Sequence, residues 1–164
     1  MNIRKPVRTD FKPVVDIYNQ VILEGGTIGY SQPFSYEDRE DWFKAYLNQE
    51  FPLLVAEENG MIAGWLSVSP YRPGRDLLDR TCVVSYFIEN DYRGQGIGSL
   101  LLSQILKEIK NWPFKLMLAL VFEHNVASIK LLQKHGFSQM AHIPRVAEWE
   151  GKILNHVYYG ISLE

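Results

Sequence analysis

The segment Arg93-Gly94-Gln95-Gly96-Ile97-Gly98-Ser99 separates an apolar run ending in Tyr86-Phe87-Ile88 from a stretch of helical spacing, Leu100, Leu101, Ile105, Leu106 and Ile109. Glycine allows positive φ and lets the main chain approach a ligand closely. The first amides of a helix have no internal partner and carry the positive end of its dipole. Together these features seat an anion, most often a phosphate. Two familiar phosphate patterns fit poorly. A Walker A loop requires Gly-Lys-Ser/Thr where Gly98-Ser99-Leu100 stands. The dinucleotide fingerprint is met by Gly94 and Gly96, but Ser99 replaces its third glycine, and Lys115-Leu116-Met117 lies where a ribose-binding acid belongs.

Other side chains capable of chemistry are scattered. Asn125 can cap a helix or donate its amide to a ligand, and Ser128 follows one turn later. The loop Pro70-Tyr71-Arg72-Pro73-Gly74-Arg75 presents Arg72, a group suited to bidentate pairing with a carboxylate or phosphinate. His124, His135, His142 and His156 lack metal-ligand spacing, so no metal is expected. Cys82 lies in an apolar run and reads as packing, and Trp42, Trp65, Trp112 and Trp149 as core or interface residues.

The elements that must position these groups follow from periodicity. Phe11, Val14, Val15, Ile17, Tyr18, Val21 and Ile22 recur at helical spacing after an N-cap at Thr9 or Asp10, and Gly25-Gly26 ends the pattern. A loop with Tyr30 and Pro33 follows. Ser35 with Asp38 forms a capping box opening a second helix, with Trp42, Phe43, Tyr46 and Leu47 on its apolar face. Asn59-Gly60 between Leu53–Ala56 and Met61–Val68 is a hairpin signal. A third strand, Thr81–Glu89, leads into the glycine segment. Leu116–Phe122 is nearly all apolar, as for a strand covered on both faces, and implies a right-handed parallel crossover from Thr81–Glu89. Asn125 opens a helix that ends near Gly136, and Phe137–Val146 and Leu154–Leu163 pair around Glu150-Gly151. The fold class is α/β (or α+β) with a mixed sheet.

Bulk properties narrow the function classes. With 164 residues, 46% of them hydrophobic, one domain spanning 1–164 with a sizeable core is expected. A net charge of -2 and the lack of a basic run argue against nucleic acid or an anionic membrane as partner. Met1-Asn2-Ile3-Arg4-Lys5-Pro6 is not a signal peptide, no segment reaches transmembrane length, and the lone Cys82 suits a reducing compartment, so a cytoplasmic protein is expected.

Arg93-x-x-Gly96-x-Gly98 between a strand and a helix resembles the acyl-CoA loop of the GNAT (Gcn5-related) N-acetyltransferases. The resemblance spans the chain. The element order is that family's, and Asn125-Val126-Ala127-Ser128-Ile129 with Leu131-Leu132-Gln133-Lys134-His135-Gly136-Phe137 resembles its second conserved segment. Ile17-Tyr18-Asn19, Pro33, Trp42-Phe43, Pro52–Ala56 and Tyr71-Arg72-Pro73 are most like the phosphinothricin/methionine sulfoximine N-acetyltransferase branch.

The resemblance implies a mixed, mostly antiparallel sheet with helices on both faces and acetyl-CoA as co-substrate. Gly94, Gln95, Gly96, Ile97, Gly98 and Ser99 would hold the pyrophosphate, with Arg93 shaping the loop. The pantetheine arm would lie along Tyr86, Phe87 and Ile88, where that strand splays from Leu116–Phe122, and would meet Asn125 and Ser128. An amide near Phe87–Ile88 would hold the oxyanion. Tyr30, Tyr71 and Arg72 would form the acceptor site for a small, amino-acid-like amine, and the family points to a homodimer. Two alternatives stay open: a peptide or protein N-acetyltransferase, and a CoA-binding module without catalysis. The family's usual acid/base positions are here Val83 and Leu132, neither of which can move a proton. Ser85, Glu24, Glu89, Glu123, His124 or a water chain could replace them, so no catalytic residue is assigned.

Overall fold

Alternation along β2 (Leu53–Glu58) sets the architecture. Leu53 and Val55 face one side and Leu54 and Ala56 the other, all four buried. A strand buried on both faces needs a layer on each, and the computed structural model, which describes residues 1–164, supplies both. Helices α1 (Phe11–Glu24) and α2 (Tyr36–Leu47) cover one face, through Val14, Ile17, Phe43 and Tyr46. Helices α3 (Ile97–Glu108) and α4 (Val126–Lys134) contribute Leu101, Leu102, Ile105 and Leu132 to the larger core on the other. Leu101, Leu102 and Ile105 are fully buried, and truncating any one to alanine costs about 2–5 kcal/mol.

The remaining strands are β1 (Asn2–Arg4), β3 (Met61–Pro70), β4 (Thr81–Ile88), β5 (Leu116–Phe122), β6 (Ser138–Trp149) and β7 (Lys152–Ser162). All seven form one sheet in the order β1-β2-β3-β4-β5-β7-β6. Every pairing is antiparallel except β4 with β5, the crossover expected around α3. The β2–β3 turn places Asn59 and Gly60 at φ 51° and 79°, as a type I′ hairpin demands.

Some boundaries differ from the sequence expectation. β4 stops at Ile88, because Glu89 caps a short 3₁₀ turn by accepting from the Asp91 amide at 2.9 Å. The last hairpin is longer than expected, continuing to Trp149 and resuming at Lys152, with irregular register between Ile143 and Ala147. Asp10 precedes α1 but does not cap it. Its carboxylate accepts from Arg4 at 2.6 and 2.9 Å and from the Val7 amide at 2.7 Å, tying β1 to the helix start. Ser35 and Asp38 do form the reciprocal capping box at α2.

β4 and β5 pair over only three residues, Thr81–Val83 with Leu116–Leu118. Beyond Val83 they diverge, and the opening between them positions the candidate site. No helix is long and apolar enough to cross a membrane.

Candidate active site

The glycine segment lies at the open end of this wedge. Gly94 and Gly96 take φ of 75° and 83°, and open space stands where a Cβ would be on either. Gly96 is the N-cap of α3 with no side chain closing the helix end, so the first-turn amides stay available. Arg93 braces the loop, its Nε donating to the Ile88 carbonyl at 3.2 Å and its guanidinium lying 2.9 Å from Glu24 at the end of α1. Gln95 is turned back on the loop, its amide donating to the Asp91 carbonyl at 2.9 Å. Its side chain therefore faces away from the cavity that the other loop residues line.

That cavity, about 660 Å³, runs from the loop into the wedge. Tyr86, Phe87, Ile88, Arg93, Gly94, Gly96, Ile97, Gly98, Ser99, Asn125 and Ser128 all line it, so the structure brings the expected segments together from β4, α3 and α4. Main-chain directions along β4 follow from two hydrogen bonds. The Glu89 amide donates to Ala63 of β3, and the Arg80 carbonyl accepts from Lys115 and Leu116 on the opposite side. Alternation then turns the main-chain groups of Tyr86 and Ile88 into the wedge and those of Phe87 toward β3. Of the amides near Phe87–Ile88, only Ile88's is free to meet a ligand there. The Asn125 side-chain oxygen accepts from the Ser128 amide at 3.2 Å, leaving its NH₂ to donate elsewhere. Ser99 lies 2.8 Å from the His135 ring, and burial holds that imidazole below its ordinary pKa.

A second cavity, about 380 Å³, lies between the sheet and the two N-terminal helices. Tyr18, Tyr30, Trp42, Tyr46, Trp65 and Phe87 supply aromatic walls, and Arg39 is its one charged group. Ser67, Ser69 and Ser85 also line it, with Ser67 directly opposite Ser85 across β3 and β4. Tyr18, Ser85 and Phe87 line both cavities and form the wall between them. Burial pushes the Tyr18 phenol up to about 12, so it stays neutral.

Among the expected acceptor residues, Tyr30 lines the smaller cavity, whereas Tyr71 and Arg72 line neither, the Arg72 guanidinium resting 5.3 Å from its neighbour's ring. Leu132 is fully buried in the larger core and Val83 lies outside both cavities. Of the substitute proton carriers, Glu24 lines the larger cavity but is paired with Arg93, and Ser85 lines both. Glu89 is a turn cap, and Glu123, bonded to Asn155 and His142, lines neither cavity, nor does His124. Cys82 is fully buried and its thiol is raised to about 12 by burial, which removes it as a nucleophile.

Sequence reasoning missed Arg39 altogether and reads Trp42 and Trp65 as core or interface residues. Arg39 sits among Glu37, Asp38, Glu40 and Asp41 and reads locally as part of a solvated face. The only local signal was aromatic, Phe34 and Trp42 on either side. His156, its imidazole held down by burial, also lines the larger cavity, and its sequence carries no local signal of that place.

The sequence model described as Acetyltransferase (GNAT) family matches residues 18–137. YwnH of Bacillus subtilis (strain 168), provisionally named a phosphinothricin acetyltransferase, is 37% identical over 153 residues covering 93% of each chain. The L-amino acid N-acyltransferase MnaT of Escherichia coli (strain K12) is 30% identical over all of this chain and 95% of its own. The structure of yncA from Salmonella typhimurium, solved with its cofactor acetyl-CoA, superposes with a TM-score of 0.94 at 28% identity, covering 99% of this chain and 94% of that one. With residues 18–137 matched and the loop, wedge and element order in place, the chain belongs to the GNAT family of acetyltransferases.

Proposed function

We propose that the protein transfers the acetyl group of acetyl-CoA to the primary amine of a small, amino-acid-like acceptor by direct attack. Acetyl-CoA supplies an activated thioester. The first-turn amides of α3, with Gly94 and Gly96 leaving room for close approach, hold its pyrophosphate. Tyr86 and Ile88 offer main-chain groups to the two amides of its arm, and Asn125 a side-chain NH₂. The Ile88 N–H is the donor available to a developing oxyanion. The acceptor occupies the smaller cavity, with its amine at the Tyr18–Ser85–Phe87 wall.

No carboxylate stands free at that wall. The serine row Ser67–Ser85 reads as the seat of a water that relays the ammonium proton to solvent; the amine nitrogen then bonds to the acetyl carbon, the C–S bond breaks, and CoA leaves as a thiolate protonated from solvent. The observation that carries this reading is the shared wall, which brings an anion-binding wedge and a small aromatic cavity to a common boundary. Its test is thiol release from acetyl-CoA with a panel of free amino acids, polyamines and peptides. Free amino acids are expected to be the fastest acceptors. No release with any amine, or peptides outcompeting amino acids, would overturn the reading.

A further inference from the structure

Arg39 lies in a setting unlike that of any other cation in the chain. Its guanidinium is packed 3.4 Å from the Phe34 ring centroid and 5.1–5.6 Å from those of Tyr18, Tyr30 and Trp42. Its Nε is buried without a hydrogen-bond partner. None of the four acids around it on α2 compensates the charge. Asp38 is committed to the capping box, Glu40 and Asp41 pair with Lys44, and Glu37 is exposed on the first turn. A half-buried guanidinium packed against rings, its Nε unpartnered and no internal anion beside it, keeps its Nη edge for an external one. That side chain lines the smaller cavity.

We infer that Arg39 is the anion-recognition residue of the acceptor cavity, binding a carboxylate or phosphinate of the acceptor through its Nη groups. This rests on the proposed acetyl transfer to a small amine. The chemistry selects against other acceptors too. Rings that could cage a cationic polyamine already hold a cation, so a second positive charge is repelled. A volume of about 380 Å³ is near the lower limit for ligand pockets, which suits a single amino acid. The serines at its floor supply hydroxyls to the amine, while Arg39 on α2 holds the opposite charge. An amino acid is thereby oriented by its two ends, and an amine lacking the acid is not.

The test uses isothermal titration of the whole protein, with CoA present, by L-methionine sulfone and by its carboxamide. Wild type should bind the acid about 10- to 100-fold more tightly than the amide. Arg39→Met should abolish that preference, and Arg39→Lys, which keeps the charge without the planar fork, should retain part of it. CoA affinity should change less than about twofold in either variant, a readout that a general loss of structure would move. Equal binding of acid and amide by wild type would overturn the inference with no variant needed. So would a folded Arg39→Met protein that keeps the preference, or failure of wild type to bind the acid. Acetyl transfer measured on the same samples separates the two proposals. Tight acid binding without transfer to any amine supports anion recognition by Arg39 and overturns the transfer reading alone.

Discussion

The two cavities meet at one wall but are built in opposite ways. The larger takes its polar groups largely from main chain: positive-φ glycines, first-turn amides, and the main-chain groups of Tyr86 with the Ile88 N–H. The smaller is lined chiefly from α2 and β3, with further residues from α1, β4 and the loop carrying Tyr30. A main-chain site tolerates change in most of its residues, because any amino acid supplies an amide. A side-chain site changes specificity with each substitution. On the proposed function, the difference separates the part that binds one fixed ligand from the part that sets acceptor choice.

Breaking the main-chain cavity should have the largest effect. Gly96→Glu forces a side chain onto a φ of 83° and sets a negative charge beside the proposed phosphate seat. Acetyl-CoA affinity should fall about 100-fold or more by calorimetry, with acceptor binding retained. Unchanged affinity would remove the loop from the site. Ser85→Ala sharpens the comparison at the shared wall. If the serine row seats the proton-accepting water, kcat should drop about tenfold with both KM values nearly constant. A KM effect alone would make Ser85 a binding group. Glu24→Gln loosens the Arg93 brace, and because that pair is partly exposed the KM for acetyl-CoA should rise only about twofold to fivefold. Arg72→Ala should leave acceptor KM within about twofold, since its guanidinium lines neither cavity.

The smallest effect concerns pH. Burial holds His135 and His156 below the ordinary 6.5, so the unfolded chain takes up protons on them first as pH falls. Their contribution to stability is complete above 6.5 and is lost as pH drops toward the folded-state values. The thermal midpoint should decline over that range, and His156→Gln should flatten the decline.

The same contrast explains what could be read from the residues. Asn59-Gly60, the Ser35–Asp38 capping box, the apolar run Leu116–Phe122 and the glycine segment are each local patterns with a local physical cause, and each was legible. Even the crossover followed from strand, helix, strand order. Arg39 was not legible, because its meaning comes from Tyr18, Tyr30 and Phe34, which lie outside its own helix. Arg72 shows the same limit, since a loop arginine beside a tyrosine has suitable chemistry in sequence while its place, outside both cavities, is set by the fold. The length of β6 depended on its partner strand, which periodicity does not report.

The divergence of β4 from β5 leaves the protein with a sheet edge in its interior. Exposed edges invite pairing with other chains, and proteins normally blunt them with charge, proline or a covering element. Here the main-chain groups of Tyr86 and the Ile88 N–H lie inside a cleft walled by α1, α3 and α4. The same gap that would be an aggregation hazard on the surface is, by enclosure, kept out of reach of other chains' edges.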